Sequence, residues 1–452
     1  MKKSIILFAL LIWGLSACED LLDTQPYHSI PSNEAITDAK DVARAINGCY
    51  SAMQSVGYYA RHYIIFGDLA ADNLRWTGTH DGYDQVNNNN ILADNVYVES
   101  IWSSIYIALN RVNNTLAAIP GIDPELMDDT SKNRAMAELR FLRALHHYNL
   151  MRLFGPIPIR TMPATAADAD LNIPRESLET VLDQVYDDLD YAMEHMTEQI
   201  IQGRASKAAA QALKARVSLH DYFIGGNSSR LDEAISHASA VINDYGLGLD
   251  PDFANLFSDG GSNESVFELA FNEQEDNRLS FYFFPTALSG RYEVAPPQEF
   301  IDSFSEDDLR KDVSIGFEGD DPFGNKYTDI QTGTDNVYIF RLAEMHLIRA
   351  EAMILKEDAD LDQIREDINA IRERAGLLPV TTSNYPALLQ EVEVQRQKEF
   401  AFEGHRWFDL VRTSRAIEVL ENVTSENQLL FPIPLSEILA NDHEGMYQNE
   451  GY

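Results

Sequence analysis

Residues 137–158 read Ala137-Glu138-Leu139-Arg140-Phe141-Leu142-Arg143-Ala144-Leu145-His146-His147-Tyr148-Asn149-Leu150-Met151-Arg152-Leu153-Phe154-Gly155-Pro156-Ile157-Pro158. The spacing predicts a helix over about 132–154, halted where Gly155-Pro156 cannot continue it. Working outward, the same period recurs at 34–54, with Ser32 or Asn33 as cap, and at 98–119, where Pro120-Gly121 ends it. Ser177 caps a further helix whose apolar stripe is Leu178, Val181, Leu182, Val185, Leu189 and Met193. Helices follow at 205–222 and 231–245, then 338–356 and 361–375, the last with Gly376 at its C-terminal end. A helical stretch over 387–420 is broken near Gly404. Helix–turn–helix pairs recurring every thirty to forty-five residues are the mark of tetratricopeptide-like stacking, here without the strict consensus. The expectation is a mainly α-helical repeat scaffold.

Two stretches interrupt the helices. Residues 58–95 carry Gly67, Gly78, Gly82 and the run Asn87-Asn88-Asn89-Asn90, and read as loop. Residues 246–336 are richer still in Gly, Pro, Asn and Asp, with a strand expected at 265–271. Long loops in a compact protein are usually functional or disordered. Tyr282, Phe283, Phe284, Tyr292, Phe300 and Phe304 make the second too aromatic for disorder.

The amino terminus has the form of a secretory signal: Lys2 and Lys3, then an apolar core from Ile5 to Trp13 too short to span a bilayer. Leu15-Ser16-Ala17-Cys18 looks like a bacterial lipobox, which implies cleavage after residue 17 and lipid on Cys18. More than one acyl chain is needed for stable anchoring. Residues 18–31, acidic and punctuated by Pro26 and Pro31, read as a tether, and 32–452 as a single domain. Cys49, the other of two cysteines, reads as a small buried hydrophobe.

The chain has 452 residues, 72 of them acidic and 35 basic, for a formal net charge of -37. So negative a protein repels a polyphosphate backbone, which argues against nucleic acid as a partner. Catalytic signatures are lacking: no Walker A loop, GxGxxG after a strand, HExxH or GxSxG occurs. His146 and His147 diverge by about 100° on a helix and cannot chelate one ion together. Phe402-Glu403-Gly404-His405-Arg406-Trp407-Phe408-Asp409 lacks a metal-ligand spacing and reads as a packed structural network. Arg134 with Glu138, and Arg341 with Glu344, stand at helical spacing, and some such charges are expected to pair between helices. The expected core includes Phe141, Leu142, Leu145, Leu342, Leu347, Trp407 and Phe408.

The 137–158 segment strongly resembles the SusD/RagB family. So do Arg341-Leu342-Ala343-Glu344 with Arg349-Ala350-Glu351-Ala352, Ile371-Arg372-Glu373-Arg374-Ala375-Gly376-Leu377, the 402–409 segment, and the ending Phe431-Pro432-Ile433-Pro434 with Gln448-Asn449-Glu450-Gly451-Tyr452. The resemblance implies a SusD-like fold: four tetratricopeptide-like helix pairs (about 34–245 and 338–420) beside loop-rich binding regions with short strands (about 58–95 and 246–336). It implies an outer-membrane, surface-exposed lipoprotein that captures oligosaccharide and delivers it to a SusC-like TonB-dependent transporter. Catalysis, cofactor and metal are not implied. The alternative within the family is a RagB-like, peptide-binding lid. In the family an aromatic in the loop after the first helix commonly stacks on sugar, and Trp76 falls in that place. With it the expected ligand residues are Asn73, Arg75, Asp81 and Tyr83 in the first region, and Tyr282, Phe283 and Tyr292 in the second.

Overall fold

The computed structural model describes residues 36–164, 171–258, 261–357 and 360–452. The signal segment, Cys18, the tether, and the caps expected at Ser32 or Asn33 lie outside the described residues.

Eight long helices form the scaffold: α1 (Ala39–Met53), α4 (Val96–Ala118), α5 (Asp129–Phe154), α6 (Leu178–His195), α7 (Lys207–Gly225), α8 (Ser229–Asp244), α10 (Leu342–Lys356) and α11 (Leu361–Arg374). They pair as α1 on α4, α5 on α6, α7 on α8 and α10 on α11; successive pairs touch through α4 on α5, α6 on α7 and α8 on α10. Each pair thus contacts its neighbours, as in a solenoid. Local chemistry sets the starts. Asp38 accepts from Asp41 N, Asp128 from Ser131 N and Ser177 from Thr180 N, each satisfying a free helix donor. The first helix therefore begins at Ala39 behind Asp38, not near 34. Gly376 holds φ +78° just past α11, a conformation that favours glycine.

Phe141, Leu142, Leu145, Leu342, Leu347, Trp407 and Phe408 are all buried, in agreement with expectation. Cys49 is buried and free, its thiol pushed up to about 11 chiefly by desolvation, which makes it inert.

Three readings change. Residues 58–95 are not a loop: they hold α2 (His62–Leu69), α3 (Asp81–Asn87) and the two-residue strand β1 (Arg75–Trp76). All of α2 is buried, so it has no polar face and no amphipathic period. Residues 338–341, expected to open a helix, belong to strand β6 (Val337–Arg341), antiparallel to β2 (Ser265–Leu269), with Leu269 opposite Val337 and Glu268 opposite Tyr338. Arg341 accordingly does not meet Glu344 on a helix face, and Glu138 pairs with Arg204 rather than Arg134. The remaining strands are β3 (Val294–Ala295), which pairs with β1, and the hairpin β4 (Ile315–Glu318)–β5 (Asp321–Gly324). The 387–420 stretch resolves into α12 (Tyr385–Glu399), α13 (Arg406–Arg412) and a short turn of helix, broken at Gly404. The short α9 (Leu279–Phe283) belongs to the second irregular region.

A buried ionic knot ties these parts together. Arg341 donates to Glu264, Glu399 and Glu403 at 2.7–2.9 Å. Lys326 joins through Glu403, Arg374 through Glu264 and Glu399, and Arg310 through Asp308 and Glu399. Four cations meet four carboxylates, so the charge balances where solvent cannot screen it. Glu403 belongs to this knot and His405 is stacked on Phe400, which makes their segment architectural.

Candidate functional site: an aromatic and guanidinium platform

The two irregular regions meet at the β1–β3 pair, which sets Arg75 opposite Ala295 and Trp76 opposite Val294. Beneath it, α2 docks on the C-terminal segment with Gly67 against the Gly404 backbone, where a side chain at Gly67 would collide and Gly404 holds φ +78°. Asp68 accepts from Gly404 N at 2.7 Å and from Asn73 at 2.6 Å. Arg406 grips Asp72 with two bonds of 2.7 and 2.9 Å. The base of the Trp76 loop is thereby fixed to the 402–409 segment.

Glu293 organises the upper surface. Its side chain is wholly buried. One carboxylate oxygen accepts from Trp76 Nε1 at 3.0 Å, Thr79 N at 3.0 Å and His80 N at 2.8 Å. The other accepts from Arg291 Nε at 2.8 Å. Burial alone would raise its pKa, but these donors outweigh it and hold the carboxyl below its usual range. Gly78 lies against this carboxylate so closely that a Cβ would collide with it.

Around Glu293 the rings cluster. Tyr282 is stacked with His80 at 6.3 Å between centroids and 13° between planes, and the Arg61 guanidinium lies 4.1 Å over the Tyr282 ring. Tyr97 meets His80 edge-on at 5.4 Å and Tyr83 at 5.0 Å. Desolvation, with Arg291 and Arg61 nearby, lowers the His80 pKa despite Glu293, so the ring is neutral near pH 7. Tyr292 sits at φ +53°, unusual for a bulky residue, and donates its hydroxyl to Pro322 O at 3.0 Å. Its backbone carbonyl accepts from Thr77 Oγ1.

The expected ligand residues divide. Arg75 and Asp81 are exposed, and Trp76 and Tyr292 are partly so. Asn73, Tyr83 and Phe283 are fully buried, and Tyr282 keeps 6% of its surface. Asn73 is consumed by Asp68 and Gln397, and Tyr83 by the rings about it. These three support the platform from below and do not face solvent, which corrects their reading as contact residues. The structure adds Arg61, His80, Tyr97, Phe281 and Arg291, all partly exposed, and Glu293 beneath them. The signal for Arg291 and Glu293 was their place on either side of Tyr292. Nothing local marked Arg61 or Tyr97.

Two family models match the chain: the SusD family over residues 323–452, and a family described as starch-binding, associating with outer membrane, over residues 20–219. Both are SusD-family models, and together they match about three quarters of the chain. A SusD-like protein P2 from Formosa agariphila is 26% identical over 520 aligned residues, covering 100% of both chains. The starch-binding protein SusD of Bacteroides thetaiotaomicron is 27% identical over 73% of this chain and 74% of its own. Among solved structures, a SusD superfamily protein from Parabacteroides distasonis superposes with a TM-score of 0.81 at 24% identity, covering 91% of this chain and 99% of that one. A laminarin-binding SusD-like protein gives 0.80 at 22% identity, with 92% and 100% covered. The SusD-like fold implied by the resemblance is thus the fold observed.

Proposed function

We propose that this SusD-family chain is a non-catalytic, surface-displayed glycan-binding protein. In this reading it is anchored by lipid on Cys18 and passes oligosaccharide to a SusC-like TonB-dependent transporter. The observation that carries it is the platform. Partly exposed rings and guanidinium groups are held rigid from beneath by Glu293, where the two irregular regions converge. Sugar C–H faces pack on flat rings, and hydroxyls take hydrogen bonds from charged rims, so rings flanked by Arg61, Arg75, Arg291 and Asp81 match that chemistry. Starch binding and laminarin binding in the names of two relatives support the same class of ligand. The transporter and the anchor rest on the family resemblance and the Leu15–Cys18 segment.

Calorimetry of the mature domain against a panel of oligosaccharides and peptides tests the reading. Binding of at least one glycan, competed by no peptide, is expected. Tight peptide binding with no glycan hit would replace this reading with the peptide-uptake one.

A further inference from the structure

Away from the platform, an inner chamber of about 20 Å³ lies among α5, α7, α10, α12 and α13. It shares no lining residue with the platform. Four arginines border it: Arg152, Arg216, Arg396 and Arg412. Their partners are unequal. Arg216 is held by both oxygens of Glu344 at 2.7 and 2.6 Å. Arg412 is held by both oxygens of Glu351 and by Asp409. Arg396 donates Nε to Asp409 at 2.8 Å, but its Nη1 is buried without a hydrogen-bond partner, in a side chain only 6% exposed. Arg152 has no carboxylate partner among the described residues; it donates to Tyr63 Oη and Asn149 Oδ1 and lies 3.9 Å over the Phe408 ring.

Four guanidinium groups face three carboxylates: Glu344, Asp409 and Glu351. Of the other titratable neighbours, His220 and His405 stay neutral through burial and the surrounding arginines, and Tyr63 and Tyr148 stay neutral through burial, so they add no charge. One positive charge is left without a carboxylate at this largely enclosed site, which is costly unless something offsets it. The volume admits about one or two water-sized species, too little for a carboxylate, phosphate or sulfate.

We propose that this chamber binds one small monovalent anion of halide size, coordinated by Arg152 and the free Nη1 of Arg396. A surface cavity of about 430 Å³ adjoins the chamber, with Arg396, Asp409 and Arg412 lining both. The anion locks α5 to α12 and α13, the elements on which α2 and the platform base rest. It is a structural ligand, separate from the glycan surface.

The probe is bromide. Crystals of the wild-type mature domain grown in sodium bromide, with diffraction measured at the bromine absorption edge, are expected to show an anomalous peak in the chamber. In solution, wild-type melting should rise by about 1–2 °C per tenfold bromide at constant ionic strength, the balance made up with gluconate, which is too large to enter. Arg396→Gln should remove that dependence. Arg152→Met is the second variant, should Arg396→Gln not fold. Bromide found only at surface arginines, or an equal salt response in wild type and variant, overturns the proposal.

Discussion

At the scale of single residues, Trp76 and Glu293 divide the work of the platform. Trp76 is only partly exposed, and its indole N–H is committed to Glu293, so it offers an edge and part of a face. Loss of an aromatic anchor at a binding surface costs about 2 kcal/mol or more, about thirtyfold in affinity. Trp76→Ala is therefore expected to weaken glycan binding by that factor in calorimetry; unchanged affinity would remove Trp76 from the site. Glu293 touches no ligand. It acts through Trp76, Thr79, His80 and Arg291. Glu293→Ala leaves those donors and the Arg291 charge unpaired, and is expected to abolish measurable glycan binding. Glu293→Gln retains an acceptor for Trp76 and the two backbone donors and should restore binding to within about tenfold of wild type, since one charged hydrogen bond is lost. Equal loss in both variants would mean that Glu293 matters only for folding.

At the scale of elements, two kinds of contact hold the scaffold, and they fail differently. Leu145 lies at the centre of α5 with no exposed surface. Leu145→Ala is expected to cost about 2–5 kcal/mol in denaturant unfolding, through lost burial and the cavity left behind. Arg341 ends β6 inside the ionic knot, and Arg341→Met strands Glu264, Glu399 and Glu403 with fewer cations than charges. Truncating one partner of a buried network costs about 3–5 kcal/mol, and here β2–β6 and α12 should loosen together, seen as faster amide exchange in both. These elements also show what a sequence makes legible. Helices α1, α6, α8 and α11 were readable because each buries one stripe and exposes the other, and caps such as Ser177 mark their ends, whereas α5, α7 and α10 are buried over most of their surface and are marked by their length. Helix α2 was not, because it is buried on every side and its pattern carries no period. Strand β6 ran on without punctuation into α10 and took that helix's reading. At the site, Trp76 and Tyr292 stood out as aromatics in polar surroundings. Asn73 and Tyr83 looked equally suitable, yet fold inward because Asp68 and the ring cluster claim them. Arg61 joins the platform only through a tertiary contact with Tyr282, for which no local pattern exists.

At the scale of the whole molecule, buried titratable groups set how stability responds to acid. His146 and His147 are both unexposed, and desolvation lowers each pKa to about 3. His62, His220 and His405 shift the same way, with burial the leading cause. In the unfolded chain each titrates near the ordinary value of about 6.5. A folded-state pKa depressed in this way contributes stability that is fully present above about pH 6.5. That stability is lost as pH falls toward the folded value, because the unfolded chain takes up the proton first. Asp68 opposes this: desolvation raises it to about 7, so its folded form binds a proton earlier and gains relative stability between about pH 7 and 4. Several histidines outweigh one aspartate. Unfolding free energy should therefore fall steadily from pH 7 to pH 5, and more steeply below about 4.5, where Glu399 and Asp409, held well below the carboxylate range by their arginines despite burial, begin to protonate in the unfolded chain. Each buried histidine accounts for about 1.4 kcal/mol per pH unit once the pH is well below 6.5. His146 makes the test, since its one hydrogen bond, to Tyr58, can be kept by a glutamine. His146→Gln should be less stable than wild type at pH 7 but show a pH slope between 6 and 4.5 shallower by about that amount. Parallel curves for the two proteins, measured by urea unfolding across this range, would show that His146 is not kept neutral by the fold.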